Sequence, residues 1–419
     1  MSTDQIAVAD LNMTRTKRTL RERAAELAPR IAERAQEVDE KRYVPEETIE
    51  ELLDAGLFHA FLPKAYGGEE AAPDDFVGAV IEIGKACAST AWVLSVLGLH
   101  HWEMSLMPKQ LQDELYADNP RTLLSSSYAA RTTARKVDGG FLISGRWPTS
   151  SGVLHSQWVI VGAHVVDGDR TYPYNFVVPL SEMKVIDDWF TLGLRGTGSR
   201  SVAGEDVFVP AYRAMDREVL YAGFGPGLRV NTNPIYRIPE GILVSTQGAS
   251  SAIGAAWGFW NEFRRQATGK VRRLDQVDIG ADRATLLKLA QARATLEDHE
   301  KVMLGTLREA HRKAVAGEAY APGEIEHGVF DISRCSAAAL SVPQSLMPLL
   351  GAPAVYQSNP LQRMYRDLLT SRQHGTQDME VTGPAMLNAE MGNDNDTNFY
   401  SLSEARIAAA RARAERLYG

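Results

Sequence analysis

Apolar residues recur every three or four positions in the first quarter and the second half of the chain, with shorter alternating runs between. The first spacing predicts α-helices, and alternation bounded by Gly, Asp and Pro predicts β-strands. The predicted helices cover residues 20–38, 45–56, 74–81, 91–101, 242–266, 283–316 and 324–349. The predicted strands cover residues 123–128, 134–137, 141–144, 158–166, 175–178 and 201–209.

These patterns predict three domains and an α+β fold that is mostly α. An N-terminal helical domain is expected over residues 1–121, a small central β domain over 122–212, and a C-terminal helical bundle over 213–419. Asp74 is expected to cap the third helix. Residues 213–240 show little periodicity and are predicted to be irregular, and segments of that length are often functional.

The totals narrow the class of protein. A length of 419 residues predicts more than one domain. The net charge of −8 argues against a nucleic-acid partner or an anionic membrane surface. The two cysteines, Cys87 and Cys335, are far apart, which argues against a Cys-based metal site and fits a reducing cytoplasm. We see no metal constellation, no apolar run of membrane-spanning length and no signal peptide, so a cytoplasmic protein is expected.

Residues 145–158, GRWPTSSGVLHSQW, combine hydroxyls, glycine and indoles. They follow a predicted β-hairpin that turns at residues 138–140. Hydroxyls beside a glycine can approach a planar polar ligand closely, and Trp147 and Trp158 can form its walls. The same residue types are also typical of an ordinary loop. The residues alone leave both interpretations open.

The order of helices, β domain and helical bundle, together with three motifs, resembles the acyl-CoA dehydrogenase fold along essentially the whole chain. The motifs are LPKAYGG at 62–68, LRGTGSRSVAGEDVFVP at 194–210 and MYRDLLTSRQHGT at 364–376. Where many acyl-CoA dehydrogenases carry a catalytic Glu before Gly-Thr, this chain has His374. The run SSSY at 125–128 followed by GRWPTSSG at 145–152 is similar to the flavin-dependent two-component hydroxylases, among them the p-hydroxyphenylacetate hydroxylases.

This resemblance implies residue roles at a reduced FMN. Ser151 would accept the flavin N5 proton, so that the hydroperoxide formed with O2 at C4a survives. Thr149 and Ser150 would be its neighbours on the flavin, and Trp92 and Ser126 would line it.

For the substrate, His374 is the first candidate for a general base, because a phenolate is attacked more readily than a phenol. His100 is the candidate that orients the substrate oxygen, and Arg237 is a candidate partner for a substrate carboxylate. The flavin phosphate has two alternative candidate sets. One is Arg195, Thr197 and Ser199, and the other is the basic cluster at 264–273, in which Arg272 is favoured.

The predicted function is the oxygenase component of a two-component monooxygenase that hydroxylates an aromatic or polycyclic phenol with reduced FMN and O2. No dinucleotide fingerprint is present, so a separate NAD(P)H:flavin reductase is expected. Helices of about 34 residues suit a bundle shared between subunits, and a homotetramer is expected. The alternatives are an FAD-dependent acyl-CoA dehydrogenase, a flavin-dependent N-oxygenase acting on an amine, and a non-catalytic flavin-binding protein.

Overall fold

The computed structural model describes residues 18–129, 132–272, 275–393 and 403–418. Within these ranges, five helices precede the sheet: α1 (Leu20–Lys41), α2 (Glu46–Asp54), α3 (Pro73–Ala86), α4 (Ala88–Met104) and α5 (Lys109–Tyr116). The first four lie where the apolar spacing predicts helices. Helix α5 was not predicted, because a helix of eight residues contains too few turns to show a clear period.

The expectation that Asp74 caps α3 was wrong. The helix begins at Pro73, and its N-cap is Ala72. Proline is favoured at the first helical position, since its missing N–H would have no partner there. Asp74 lies in the first turn, where its carboxylate accepts a hydrogen bond from Arg308 at 2.7 Å.

The middle of the chain forms an eight-stranded sheet in the order β6-β7-β3-β2-β4-β5-β8, with β1 pairing parallel to β4. The strands are β1 (Leu124–Ser127), β2 (Thr133–Val137), β3 (Gly140–Ser150), β4 (Trp158–Asp167), β5 (Arg170–Pro179), β6 (Lys184–Ile186), β7 (Arg200–Pro210) and β8 (Ala214–Asp216). Strands β2 and β3 form the predicted hairpin, with Val137 opposite Gly140.

Strand β3 is longer than the sequence pattern predicts. It was expected to end at Ser144, but it pairs with β7 as far as Ser150, which lies opposite Arg200. Register shifts between Ile143 and Gly145 and between Trp147 and Ser150 interrupt its alternation, which is why the pattern ended early. The short strands β6 and β8 were not predicted.

The second half of the chain is helical again. It contains α6 (Arg217–Tyr221), α7 (Glu240–Ala267), α8 (Arg283–Ala316), α9 (Glu324–Leu346), α10 (Pro360–Ser371), α11 (Met379–Glu390) and α12 (Glu404–Tyr418). Helices α7 to α9 were predicted, and α10 to α12 were not. The segment predicted to be irregular, 213–240, holds β8, α6 and short 3-10 turns.

Helix α7 is the centre of the helical core and packs against α3, α4 and α9. Its Gly254 meets Gly84 of α3 so closely that a Cβ on Gly84 would lie 2.9 Å from the Gly254 Cα. Helix α4 is buried along its whole length, so polar side chains on it must serve internal partners or a cavity. In the part of the chain that the structure describes, no helix is long and apolar enough to cross a membrane.

Candidate functional site

A cavity of about 670 Å³ lies between α4, the end of β3, the first turns of α7 and the turn at 374–376. Five residues predicted from the sequence line it together: Trp92, Ser126, Thr149, Ser151 and His374. They come from four separate segments of the chain. The volume is in the range of ordinary cofactor and substrate sites.

Ser151 lies in a chain of hydrogen bonds whose direction is fixed at its far end. Its Oγ is 2.7 Å from the Oγ of Ser199, which is 2.7 Å from the Oγ1 of Thr197. Thr197 donates its proton to the carbonyl of Leu194 at 2.8 Å. Ser199 must therefore donate to Thr197, and Ser151 must donate to Ser199.

Because Ser151 donates its proton to Ser199, it has only lone pairs left for other partners. One lone pair accepts the indole N–H of Trp92 at 3.1 Å. The hydroxyl proton is already committed to Ser199, so the remaining lone pair can accept a proton or a hydrogen bond from a ligand in the cavity.

The backbone around Ser151 is held in unusual conformations. Gly152 has a φ of +70°, and its N–H donates to the carbonyl of Thr197 at 2.9 Å. A Cβ on Gly152 would lie 3.0 Å from the side chain of Leu97. Thr149 has a φ of +61°, which is rare for a β-branched residue, and its exposed side chain lines the cavity. Strain of this kind clusters at ligand sites.

His374 lies against the same indole as Ser151. The ring centroids of Trp92 and His374 are 5.2 Å apart in an edge-on arrangement. The Nδ1 of His374 is 2.8 Å from the Oγ1 of Thr376, whose backbone N–H donates to the same nitrogen at 3.3 Å. Burial lowers the pKa of His374 to about 4, so the imidazole is neutral at pH 7.

The hydroxyl of Thr376 can serve either tautomer of His374, since it can donate to Nδ1 or accept from it. Its oxygen also accepts a hydrogen bond from Gln377 Nε2 at 2.7 Å. The backbone N–H of Thr376 favours the tautomer with its proton on Nε2. A proton shift to Nδ1 would leave Nε2 as the base.

Buried charged groups that the sequence did not indicate lie in and behind the wall of the cavity. Glu103 accepts hydrogen bonds from the Tyr128 hydroxyl at 2.5 Å and from Asn175 Nδ2 at 2.7 Å. Arg217 and Glu240 line the cavity beside Tyr128. Burial raises the pKa of Glu103, and burial and the nearby Glu103 carboxylate raise the pKa of Glu240 well above its usual range.

These groups come from α4, β5, α6 and α7, and each is an ordinary residue in its own segment. A Glu in the first turn of a helix, such as Glu240 after Pro239, is normal macrodipole placement. The only available signal was the placement of Glu103 in an otherwise apolar helical stretch.

His100 does not belong to the cavity lining. It is 1% exposed, its Nδ1 contacts the carbonyl of Leu124 at 2.6 Å, and its ring meets the edge of Tyr128. Burial lowers its pKa to about 4. The structure therefore places His100 next to a cavity residue, and a direct role in orienting substrate stays a prediction.

The remaining hydroxyls of the predicted flavin contacts are buried. Ser150 is fully buried, and it is not among the described residues that line the cavity. Thr197 and Ser199 are 2% and 3% exposed and hydrogen-bond to each other, and Ser199 also hydrogen-bonds to Ser151. In this chain they support Ser151, and a direct phosphate contact by either stays a prediction.

The three predicted cationic contacts lie outside the shared cavity. Arg195 lines a separate cavity with Asp39 and Arg366. Arg272 pairs with Asp275 at the surface, and its neighbour Arg273 lies outside the described residues. Arg237 lines a second cavity of about 420 Å³, which shares Tyr221 and Glu240 with the first. The phosphate and carboxylate roles of these residues stay predictions.

The residues of the cavity fit a flavin. Trp92 supplies an aromatic wall, and the hydroxyls of Ser126, Thr149 and Ser151 line the cavity. Among the described residues, the hydroxyl of Ser151 has an acceptor lone pair without a partner, which suits the N–H of a reduced flavin ring. The described residues contain no group of three His, Cys, Asp or Glu side chains that could hold a metal ion.

Comparison with known proteins shows the family of the chain. Residues 14–106 match the acyl-CoA dehydrogenase N-terminal domain, and residues 247–378 match the acyl-CoA dehydrogenase C-terminal domain. The flavin-dependent monooxygenase oxygenase subunit HsaA of Rhodococcus jostii RHA1 is 32% identical over 84% of this chain and 93% of its own length. The oxygenase component of FADH(2)-dependent resorcinol hydroxylase from Rhizobium sp. MTP-10005 is 30% identical over 88% of this chain and 93% of its own length.

A solved structure shows the same architecture. The HsaA monooxygenase from M. tuberculosis superposes with a TM-score of 0.85 at 30% identity, over 90% of this chain and 98% of that one. Both the sequence likeness and the shared fold extend across all three parts of the chain. The chain therefore belongs to the flavin-dependent monooxygenases of the acyl-CoA dehydrogenase fold, as an oxygenase subunit.

Proposed function

We propose that this oxygenase subunit hydroxylates a phenolic ring in the 670 Å³ cavity, with reduced FMN and O2. The observation that carries the proposal is that Trp92 contacts both Ser151 and His374, so the proton acceptor for the flavin and the candidate base for the substrate share one wall. Membership of the monooxygenase family favours this function over an acyl-CoA dehydrogenase or a non-catalytic flavin-binding protein.

Bound reduced flavin supplies the activated oxygen atom that is transferred to the ring. Ser151 would accept a hydrogen bond from the flavin N5–H, because its own proton is committed to Ser199. Holding that proton prevents its loss and the release of hydrogen peroxide. Trp92, Ser126 and Thr149, which line the same cavity, would hold the ring system.

His374 binds the hydroxyl of the substrate. It accepts the phenolic proton at Nε2 in the tautomer whose Nδ1–H donates a hydrogen bond to the Thr376 hydroxyl. A neutral imidazole is available for this at pH 7 because burial keeps its pKa near 4. The imidazolium that forms is stabilised by the adjacent phenolate.

Reduced flavin reaches this subunit from a separate NAD(P)H:flavin reductase in the proposal. A homotetramer is also proposed, since α8 and α11 carry large exposed apolar side chains such as Leu287 and Leu387, at 59% and 50% exposure. Light scattering then gives about four times the 46.0 kDa of one chain.

The test of the proposal compares product with hydrogen peroxide during turnover of 4-propylphenol, with FMN and a flavin reductase present. His374→Ala should retain oxygen consumption, but its ratio of hydroxylated product to peroxide should fall at least tenfold. General acid–base catalysis typically contributes about 10²–10⁴-fold in rate, and this variant loses that contribution. In the wild type, kcat/KM should stay level from pH 8 to about pH 5.5, since the pKa of His374 is about 4. Equal coupling in variant and wild type would refute the role of His374.

A further inference from the structure

Glu240 is a buried carboxyl group on the wall of the cavity, and one of its oxygens has no partner among the residues that the structure describes. Glu240 is 6% exposed, and its Oε2 accepts no hydrogen bond within the described part of the chain. A buried polar atom without a partner costs about 1–3 kcal/mol, so such an atom at a cavity points to a ligand. Glu240 lines both this cavity and the neighbouring cavity of about 420 Å³.

The position of Glu240 relative to His374 follows from helix α7. The turn that carries His374 is fixed to α7 through Gln377, whose Nε2 donates to the carbonyl of Ser245 at 3.0 Å and whose side chain packs on Gly248. Glu240 precedes that contact by one and a half to two turns. With a rise of 1.5 Å per residue, this places it roughly 10 Å away along the helix.

The charges around Glu240 limit what it can bind. Glu103 already accepts hydrogen bonds from Tyr128 and Asn175 and is the anion beside Arg217. One guanidinium thus faces two carboxyl groups in a water-poor wall. Because Glu103 already balances the charge of Arg217, a substrate carboxylate would add an unpaired negative charge there, and an ammonium group would meet Arg217.

We propose that Glu240 determines substrate specificity by hydrogen-bonding an uncharged oxygen of the substrate, a hydroxyl or carbonyl group about 10 Å from the phenolic hydroxyl at His374. This inference rests on the proposed phenol hydroxylation. The raised pKa of Glu240 agrees with it, because a protonated carboxyl group can both donate and accept a hydrogen bond.

Three phenols of similar shape test the proposal in the complete system of oxygenase, FMN and reductase. They are 3-(4-hydroxyphenyl)propan-1-ol, 3-(4-hydroxyphenyl)propanoate and 4-propylphenol. For the wild type, the kcat/KM of the alcohol should be about tenfold higher than that of 4-propylphenol, because one hydrogen bond to a buried group contributes about that factor. The kcat/KM of the carboxylate should be lower still than that of the alcohol by a larger factor. The difference should lie in KM.

Glu240→Leu should abolish the advantage of the alcohol and leave turnover of 4-propylphenol within about threefold of wild type. Glu240→Gln should keep part of the advantage, since an amide also donates and accepts. Glu326→Gln is the matched control, because Glu326 lines only the second of the two cavities. It should behave as wild type.

The outcomes separate this inference from the proposed function. Hydroxylation of 4-propylphenol with no preference among the three phenols, or an alcohol advantage that survives in Glu240→Leu, overturns the role of Glu240 alone. Preference for the carboxylate in the wild type overturns it as well, even if the variants do not fold. Failure to hydroxylate any of the three overturns the proposed function and this inference with it.

Discussion

The proton of Ser151 illustrates how a single residue acquires a chemical role from its partners. An isolated serine can donate or accept, and the sequence does not say which it does. Here the carbonyl of Leu194 can only accept, so the protons of Thr197, Ser199 and Ser151 must all point away from the cavity. Ser151 is therefore an acceptor because Thr197, two hydroxyls further along the chain of hydrogen bonds, donates its proton to Leu194.

Ser151→Ala should raise hydrogen peroxide release during turnover at least tenfold without preventing flavin binding, because the acceptor is lost while Trp92 and Thr149 remain. Peroxide yield per flavin oxidised is the measurement, and flavin fluorescence gives the affinity. Ser150→Ala is the control. It removes the neighbouring buried hydroxyl, whose oxygen has no hydrogen-bond partner among the described residues, and should leave peroxide yield unchanged.

At the scale of elements, the end of β3 determines where that hydroxyl lies. The strand keeps its pairing with β7 up to Ser150, and the chain then turns through Gly152 with a positive φ. The N–H of Gly152 is fixed to Thr197 at the same point. The turn and the hydrogen-bond chain of Ser151 thus depend on the same short contact between β3 and the segment before β7.

Gly152→Ala should destabilise the protein by about 1–3 kcal/mol, because its φ of +70° is unfavourable for alanine and the new Cβ would press on Leu97. The same variant should release more hydrogen peroxide, because the change at Gly152 moves the neighbouring Ser151. Gly305→Ala on α8 is the control. A Cβ there meets no atom within 4 Å, so helix propensity should stabilise the protein by up to about 1 kcal/mol. Urea unfolding measures both, and equal stability of the two variants would contradict the argument.

At the scale of the whole molecule, buried titrating groups act on stability in opposite directions. Burial lowers the pKa of His100 and His374 to about 4 and that of His101 well below its usual value. Between about pH 6.5 and 4 the unfolded chain takes up protons at these sites and the folded chain does not, so stability falls on acidification. Burial raises the pKa of Asp367 to about 6, which has the reverse effect in the same range.

The contribution of His100 to the pH dependence of stability can be measured separately. From pH 7.5 to pH 4.5, His100→Asn should lose about 2–3 kcal/mol less stability than the wild type, because it has no imidazole to protonate on unfolding. Asparagine can still donate to the carbonyl of Leu124. Urea unfolding at the two pH values is the measurement, and His327→Asn, at an exposed site, is the control. The same pH loss in His100→Asn and wild type would contradict the predicted shift.

The sequence by itself determined the features that depend on neighbouring residues. Apolar spacing located α7, α8 and most strands, because each element must bury one face, and the Asp138-Gly139 turn specified the hairpin. Motifs pointed to Ser151, His374 and Trp92, which line one cavity. Helix α5 and the short edge strands were missed because so few residues contain no clear period.

Only the tertiary structure decided what joins distant segments. Packing between elements decides three features of the site. It separates Arg195 and Arg272 from the cavity, sets the direction of the Ser151 proton, and brings Glu103, Arg217 and Glu240 together. Each of these residues is unremarkable within its own helix or strand. Their chemistry arises because burial removes water from groups that the chain brings together from far apart, and no local pattern records that contact.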